Sequence, residues 1–228
     1  MQKLITLYHG SQEIVEKPIF GKGKKNNDFG LGFYCTENID LAREWSLPYP
    51  SGGFVNQYTL DAEYLRVLNL NSSQYTILNW ITVLIEHRLF TIKAPNVRRT
   101  KQYLSDNFSV NVNAYDVITG YRADDSYYEY AAAFLNNSIT VDQLSHAVKL
   151  GNLGEQIVIK SPYAFSCLHF EGYERTDERY FEKRKKRDKE ANELYLKVLE
   201  EEDKGLYIQD IIRGGIKNND PRIPRNIC

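Results

Sequence analysis

Hydrophobic residues either alternate with polar ones or form short runs in several stretches of the chain, and turns or glycine-bearing segments separate these stretches. This pattern is typical of β-strands. It predicts strands at residues 3–8, 33–36, 54–60, 65–70, 115–121, 155–160 and 164–170. The predicted strands gather towards both ends of the chain and do not alternate regularly with helices.

Apolar residues three or four positions apart predict helices between these strands. The predicted helices cover residues 41–47, 74–90, 95–108, 126–135 and 141–149, and one long charged helix covers residues 176–204. Asn38 or Asp40 is expected to cap the first helix, and Thr140 with Gln143 resembles a capping box. The polar segment from Gly214 to Cys228 predicts a loosely packed tail. Together the elements indicate an α+β fold.

The chain length predicts one main domain with an extension. The 228 residues are enough for one sizeable core, and no linker rich in proline, glycine and serine divides them. We expect a main domain at residues 1–172 and a C-terminal helical extension with a tail at residues 173–228.

The overall charge favours neither nucleic acid nor an anionic membrane as a partner. Lysine and arginine number 29 against 30 aspartate and glutamate, for a formal net charge of -1. One dense basic run, Lys183 to Arg187, lies in the long predicted helix. Two interpretations of this run remain open: a patch that contacts the phosphates of RNA or DNA, and a solvated helix that docks on a partner.

The cysteines argue against a disulfide framework and against a bound metal. Cys35, Cys167 and Cys228 lie far apart and lack the spacing of metal ligands. This usage fits a reducing compartment. The chain also shows no leader pattern and no run of about 18 apolar residues. The sequence therefore predicts a soluble, cytoplasmic protein that does not associate with a membrane.

Three stretches place polar or aromatic side chains beside glycine at the end of a predicted strand. The first is Tyr8-His9-Gly10-Ser11, the second covers residues 27–36 and the third covers residues 153–157. They resemble the motifs of the ADP-ribosyltransferase superfamily, in the branch that includes diphtheria toxin and the poly(ADP-ribose) polymerases. That branch is defined by a histidine, a tyrosine and a glutamate or its substitute.

The match to this branch extends over residues 4 to about 160. His9 precedes a glycine and a hydroxyl residue, and Tyr34 follows Gly32 with one residue between them, as in the first two motifs. Trp45 stands where the polymerases carry a second tyrosine, and Glu155 opens a late strand as in the third motif. The stretches DFGLGFYCT and GYRADDSY also resemble a bacterial family with toxin-like members.

The resemblance implies a fold and a co-substrate. It implies an ADP-ribosyltransferase-like split β-sheet core with helical insertions, and NAD as the co-substrate. His9 is implied to bind the adenosine ribose, Gly10 to approach the carboxamide, and Tyr34 and Trp45 to stack on the nicotinamide ring. Ser11 and Thr36 are implied to complete the NAD-binding set. His9 and Tyr34 are also counted among the catalytic residues.

The catalytic carboxylate has two candidate positions, Glu155 and Gln156. The resemblance implies that a glutamate binds the nicotinamide-ribose hydroxyl and stabilises an oxocarbenium-like transition state. Neighbouring residues on a strand face opposite sides, so only one of the two can point into the cleft. Counting from the apolar residues of the strand, as in the polymerases, favours Glu155. The pattern of the bacterial family leaves Gln156 as the alternative.

A charged junction follows the predicted strand at residues 115–121. Arg122, Asp124 and Asp125 there have two interpretations. The carboxylates cap the next helix and neutralise the arginine, or one of them lines the acceptor side of the cleft as a base.

The resemblance predicts an NAD-dependent mono-ADP-ribosyltransferase, a bacterial toxin or defence effector that modifies an intracellular protein or nucleic acid. A cognate antitoxin protein is the partner that this prediction implies. Two alternatives remain: an inactive module of the same fold that binds NAD or a protein, and an NAD glycohydrolase that uses water as the acceptor.

Overall fold

A computed structural model describes residues 3–49, 52–88, 90, 97–123, 125–150, 154–200 and 204–226. It contains two β-sheets and helices that separate and follow their strands, which confirms the predicted α+β fold. In the described part of the chain, no helix is long and apolar enough to cross a membrane.

The first sheet is antiparallel and has three strands. They are β1 (Leu4–Ser11), β3 (Phe54–Asp61) and β7 (Leu168–Arg175), in the order β1-β3-β7. The β1–β3 pairing runs without a break from Leu4 opposite Asp61 to Ser11 opposite Phe54. This regular register holds the C-terminal end of β1, which carries His9, against a full-length neighbour.

The second sheet is mixed and has four strands. They are β2 (Phe33–Cys35), β4 (Val67–Asn69), β5 (Val117–Tyr121) and β6 (Glu155–Ile159), in the order β2-β6-β5-β4. Only the β4–β5 pair is parallel. Strand β6 is buried from its second residue to its last, as its apolar run predicts for a central strand.

The two sheets meet where β1 runs beside the end of β2. The backbone N–H of Tyr8 donates to the carbonyl of Thr36 over 2.8 Å, and the N–H of Thr36 donates to the carbonyl of Tyr8 over 2.9 Å. This bridge brings the start of the first predicted motif, Tyr8, beside the end of the second, Thr36. His9 and Tyr34 therefore become neighbours although they come from different sheets.

Eight helices occur in the described residues. They are α1 (Ile39–Ser46), α2 (Ile77–His87), α3 (Val97–Phe108), α4 (Asp125–Leu135), α5 (Val141–Ala147), α6 (Pro162–Ser166), α7 (Arg179–Glu200) and α8 (Ile208–Arg213). Asn38 caps α1, because its side chain accepts from the N–H groups of Asp40 and Leu41 at 3.0 and 3.3 Å. The capping box of Thr140 and Gln143 is confirmed at the start of α5.

Helix α2 lies at the centre of the main core. Its residues from Ile77 to Ile85 are all buried, as expected for a helix that is hydrophobic on every side. Helices α3, α5 and α8 contribute buried apolar residues to the same cluster. Most of the predicted helical insertion between the strands therefore builds this core.

Two local predictions are wrong, and the first concerns the last strand. The strand predicted to begin at Ala164 begins at Leu168 instead. Before it, Ser161 caps the short helix α6 by accepting from the N–H of Ala164 over 3.1 Å, and Pro162 favours a first helical turn.

The second concerns the tail, which was expected to be loose and is packed as far as the structure describes it. Helix α8 precedes it, and Ile216 and Ile223 within it are each 2% exposed. The Asn226 side chain donates to the carbonyl of Leu70 over 2.7 Å. Isolated isoleucines spread over a polar segment are enough to hold it on the core, although they give no periodic pattern. Cys228 lies outside the described residues.

Candidate functional site

A cavity of about 350 Å³ opens at the place where the two sheets meet. It falls in the range of roughly 300–1,000 Å³ typical of small-molecule sites. Five of the predicted site residues line it: His9, Gly10, Tyr34, Trp45 and Gln156. The other lining residues are Asn27, Asp28, Arg88, Arg122, Ala123 and Arg184. We call this cavity the sheet-junction pocket.

His9 presents a neutral imidazole to the pocket. Its Nδ1 lies 2.7 Å from the carbonyl oxygen of Tyr34, and a carbonyl can only accept, so Nδ1 carries the proton and Nε2 is left as an acceptor. Burial lowers the pKa of His9 below its usual value, which keeps the ring neutral near pH 7. The ring also packs on Phe33, with 4.3 Å between centroids. The fixed tautomer suits His9 to accept a hydrogen bond from a sugar hydroxyl.

Tyr34 uses its hydroxyl to hold the loop before β2. The hydroxyl donates to the carbonyl of Gly30 over 2.7 Å and accepts from the N–H of Phe29 over 3.0 Å. Burial raises the pKa of Tyr34 well above its usual range, so the phenol does not ionise near neutral pH. Because the hydroxyl proton is directed to Gly30 and the hydroxyl oxygen already accepts from Phe29, the ring is the main part that Tyr34 offers a ligand.

Gly10 lets helix α1 pack directly on β1. A Cβ at this position would lie 2.0 Å from the carbonyl oxygen of Ala42 and 2.7 Å from the backbone nitrogen of Ser46. No side chain fits in that space. The glycine therefore brings α1, which carries Trp45, close to the end of β1. This packing role is separate from the carboxamide contact that the resemblance implies.

An arginine covers one face of the Trp45 ring, and both residues line the pocket. The guanidinium carbon of Arg122 is 4.9 Å from the centre of the indole ring, a cation–π arrangement. The indole Nε1 is buried and has no hydrogen-bond partner among the described residues. One face of Trp45 is thus covered by Arg122, and the ring cannot be stacked on both sides by a ligand.

The preference for Glu155 as the inward-facing residue is wrong, and Gln156 lines the pocket instead. Tyr34 lies opposite Val158 in the β2–β6 pair. Residues two apart on a strand share a face, so Gln156 lies on the face of Val158 and Tyr34. Gln156 is 3% exposed, whereas Glu155 is exposed and accepts from Asn71 Nδ2 over 2.7 Å.

Asp28 is a pocket residue that the sequence interpretation did not assign to the site. Its Oδ2 accepts from the N–H of Ala123 and from Nε2 of Gln156, each over 2.8 Å. Its Oδ1 lies 3.1 Å from Nη1 of Arg88. Burial raises the pKa of Asp28, and the charge of Arg88 opposes that shift. A carboxylate inside a glycine- and aromatic-rich motif was the available signal, but its partners lie far away in the sequence.

Gly120 makes room for the loop that carries Asp28. A Cβ on Gly120 would lie 2.8 Å from the ring of Phe29, and Gly120 pairs with Gln156 in the β5–β6 ladder. The missing side chain lets Phe29, which is fully buried, seat against the sheet. Asp28 is thereby brought within hydrogen-bond distance of Gln156.

Three arginines line the pocket, against one aspartate among its described lining residues. Arg88 follows α2, Arg122 follows β5, and Arg184 lies on α7. Guanidinium groups recognise phosphate and carboxylate with paired hydrogen bonds. Arg88 already contacts Asp28 and Arg184 already contacts Asp188, so an anionic ligand would share these arginines with carboxylates of the protein. Asp124 lies outside the described residues and the side chain of Asp125 is not described, so their proposed roles stay predictions.

Ser11 and Thr36 do not line the pocket. The Ser11 hydroxyl donates to the carbonyl of Glu13 and accepts from Asn56 Nδ2. Thr36 is buried, and its hydroxyl accepts from the N–H of Asn38 over 3.1 Å. Both residues shape the chain around the pocket, at the end of β1 and at the start of α1.

The basic run on α7 is matched by carboxylates. The pairs are Lys183–Asp40, Arg184–Asp188, Lys185–Glu182, Lys186–Glu190 and Arg187–Glu44. Lys183 and Arg187 reach α1, at 2.9 Å from Asp40 and 2.5 Å from Glu44. Helix α7 therefore docks on α1 of the same chain. Docking on a partner and contact with nucleic-acid phosphates both stay predictions.

Residues 5–170 match the sequence model of the DUF3990 family, which is described as a protein of unknown function. The chain belongs to this family. The DUF3990 segment extends from β1 into β7 and contains the pocket residues except Arg184, which lies on α7 beyond its end. No curated protein and no solved structure matches the chain.

Proposed function

We propose that this chain is an NAD-dependent mono-ADP-ribosyltransferase that modifies an intracellular protein or nucleic acid. The observation that carries the proposal is the convergence of His9, Tyr34, Trp45 and Gln156 on one pocket. These residues come from β1, β2, α1 and β6, which are up to about 150 residues apart in the sequence. The three motifs that resemble the superfamily therefore meet in space.

The fold is compatible with the same proposal. Two sheets that touch through one bridge between β1 and the end of β2 resemble the split β-sheet core expected of an ADP-ribosyltransferase. The sheet-junction pocket lies at that split. The predicted helical insertion covers one sheet and leaves the junction open.

The pocket offers groups suited to each part of NAD. The rings of Tyr34 and Trp45 suit the flat nicotinamide. The Nε2 acceptor of His9 suits a ribose hydroxyl, and the arginines suit the diphosphate. The bond from ribose C1′ to the nicotinamide nitrogen breaks, and its electron pair leaves with the nicotinamide. An acceptor X–H then bonds to C1′ and releases its proton to solvent.

Gln156 supports a second candidate, the inactive module that binds NAD. A neutral amide stands where the superfamily usually has a glutamate, so Gln156 cannot by itself offset the positive charge that develops on the ribose. The glycohydrolase alternative differs only in the acceptor, which is water. A toxin or defence role with a cognate antitoxin remains part of the proposal through the resemblance alone.

Label transfer from NAD separates these functions. The full chain is incubated with NAD labelled in the adenylate half, with and without a cell lysate, and both nicotinamide release and macromolecular label are measured. Release with labelling supports the transferase, release without labelling supports the glycohydrolase, and binding without release supports the module. Absence of NAD binding would contradict all three.

The neighbouring residues of β6 provide a matched pair of variants. Gln156→Ala removes a pocket residue and should abolish most of the turnover, whereas Glu155→Ala changes the exposed face and should leave it near the wild-type rate. Loss of turnover in Glu155→Ala with retention in Gln156→Ala would reverse the assignment of this strand.

A further inference from the structure

We propose that Asp28 is a positioning residue that makes Gln156 the hydrogen-bond acceptor for a ribose hydroxyl, so that an aspartate–glutamine pair replaces a single glutamate. This inference rests on the proposed function of the same pocket. It adds a residue and a mechanism to that function, because neither the resemblance nor the family match assigns a role to Asp28.

The orientation of the Gln156 amide follows from its partners. Nε2 lies 2.8 Å from Oδ2 of Asp28 and 3.3 Å from the carbonyl oxygen of Tyr121. A carboxylate and a carbonyl can only accept, so both must face the NH2 end of the amide. Oε1 is therefore the end left for a donor in the pocket, and a ribose hydroxyl is such a donor.

Asp28 is itself held in place by buried contacts. The N–H of Ala123 and the guanidinium of Arg88 bind its two oxygens at 2.8 and 3.1 Å. The residue is 6% exposed, and Arg88 provides a counter-charge that favours the ionised form. Burial raises the pKa of Asp28, and the charge of Arg88 opposes that shift. A carboxylate fixed in this way binds the NH2 end of Gln156 in one sense only, which a neutral residue at this position would not enforce.

The pair also gives the reacting ribose a nearby negative charge. Asp28 is the one carboxylate among the described residues that line the pocket. Its hydrogen bond increases the partial negative charge on Oε1 of Gln156, since hydrogen bonds in series polarise one another. Positive charge that develops at C1′ as nicotinamide leaves is thereby stabilised through Gln156.

Gln156→Glu is the sharpest test, because it separates this inference from simple likeness to the superfamily. If position 156 only needed a glutamate, the variant would be at least as active as the wild type. We expect the opposite at pH 8. Nε2 of Gln156 lies 2.8 Å from Oδ2 of Asp28, so Gln156→Glu replaces the amide donor with a second carboxylate, which Asp28 repels. We expect kcat for nicotinamide release to fall roughly 10- to 100-fold.

The pH profile of Gln156→Glu provides a readout that a purely structural role would not move. A proton shared between the introduced carboxylate and Asp28 restores the hydrogen bond, so the ratio of variant to wild-type kcat should rise as the pH falls from about 8 to about 5.5. The charged and titratable groups around the pair are His9, Tyr34, Arg88, Arg122 and Arg184. These side chains are the same in both proteins, so the variant differs from the wild type only at position 156.

Asp28→Asn is the second variant, and Glu155→Gln on the opposite face of β6 is the matched control. Asp28→Asn should lower kcat about as much as Gln156→Glu does while it changes KM for NAD less, and Glu155→Gln should change neither. If one of the two pocket variants fails to fold, the other decides. Wild-type rates in a folded Asp28→Asn, or in Gln156→Glu at pH 8, would overturn the inference.

A measurement on the unmodified chain keeps the inference falsifiable if both variants fail to fold. In the wild-type protein, the side-chain NH2 protons of Gln156 should exchange slowly with solvent in NMR spectra, and rapid exchange would overturn the positioning role. A wild-type protein that neither binds NAD nor turns it over would remove the proposed function, and this inference with it. Turnover by the wild type, together with undiminished rates in Asp28→Asn and Gln156→Glu, would remove the inference alone.

Discussion

Two polar cavities border helices α1 and α7, and their charges are arranged differently. The sheet-junction pocket, of about 350 Å³, takes Trp45 from α1 and Arg184 from α7. A second cavity, of about 450 Å³, takes three acidic residues from these two helices, Asp40, Glu44 and Glu190, and three basic ones, Lys183, Lys186 and Arg187. We call the second cavity the α1–α7 seam.

The basic and acidic residues that line the seam are equal in number, whereas those that line the pocket are not. In the seam each basic residue pairs with one of its acidic residues. In the pocket, Arg88 pairs with Asp28, but Arg184 pairs with Asp188, which lies outside the lining. Two aromatic rings and the acceptor of His9 lie beside these charges. The two cavities are therefore similar in size and differ in how their charges are paired. The groups that a ligand could contact in the pocket also distinguish it from the seam.

The largest expected effect comes from breaking the buried pair of the seam. Glu44 and Arg187 have side chains that are 4% and 14% exposed. Removal of one of the two leaves the charge of the other buried without its partner. Arg187→Ala should lower the free energy of unfolding by about 3–5 kcal/mol in urea denaturation. The double variant Glu44→Leu/Arg187→Met should be less destabilised than Arg187→Ala. A loss under about 1 kcal/mol in Arg187→Ala would show that the seam does not anchor α7.

His9→Ala should affect turnover more than stability, the reverse of the seam variant. Loss of the ribose contact should lower kcat/KM for NAD about 100-fold, a magnitude seen when one preorganised polar contact is removed. His169→Ala is the control, because His169 is exposed on β7 and lies outside the pocket. Equal activity in the two variants would remove His9 from the site.

The neutral state of His9 also predicts how stability depends on pH. Burial lowers its pKa in the folded protein, so the unfolded chain binds a proton first as the pH falls. Wild-type stability should therefore decrease below the usual histidine pKa of about 6.5, and His9→Ala should lose part of this decrease. Identical slopes in the two proteins between about pH 7 and pH 5 would contradict the buried neutral ring.

Arg184→Ala tests whether α7 belongs to the pocket as well as to the seam. Loss of one guanidinium should weaken binding of NAD and of ADP-ribose by about tenfold, as for a hydrogen bond to a charged group. Lys189→Ala on the same helix is the control, since Lys189 is 79% exposed and pairs with Glu193. Isothermal titration should show no change for Lys189→Ala. Unchanged affinity in Arg184→Ala would limit the pocket to the DUF3990 segment.

The smallest effect is expected at the exposed end of the seam. Lys183 and Asp40 are 53% and 42% exposed, so Lys183→Ala should cost under about 1 kcal/mol. Hydrogen bonds from Lys183 and Arg43 lower the pKa of Asp40 to about 2. The contribution of Asp40 is present above about pH 4 and is lost as the pH falls towards about 2. Acid denaturation curves of Lys183→Ala and wild type should therefore converge over that interval.

Local patterns were sufficient to predict the fold class and some of the pocket residues. Strand alternation located β1, β3, β5 and β6, and the motif around His9 and Tyr34 identified two pocket residues. Alternation also required that only one of Glu155 and Gln156 faces inward, but it could not say which. That choice depends on the register between β2 and β6, which is a long-range property.

The charged part of the pocket could not be predicted from the sequence. Asp28 and Arg88 are paired across 60 positions, and Arg184 lies on a helix whose basic run suggested a partner outside the chain. A single sequence holds no signal for which distant charges meet. Burial of α8 and of the tail was missed for a related reason, because sparse isoleucines on a polar segment lack a period.

A structure of the chain in complex with NAD tests the central claim most directly. The account predicts the nicotinamide ring against Tyr34 and Trp45, a ribose hydroxyl on Oε1 of Gln156, and the diphosphate near the pocket arginines. NAD bound in the α1–α7 seam, or a nicotinamide ring seated away from the β1–β2 bridge, would contradict it.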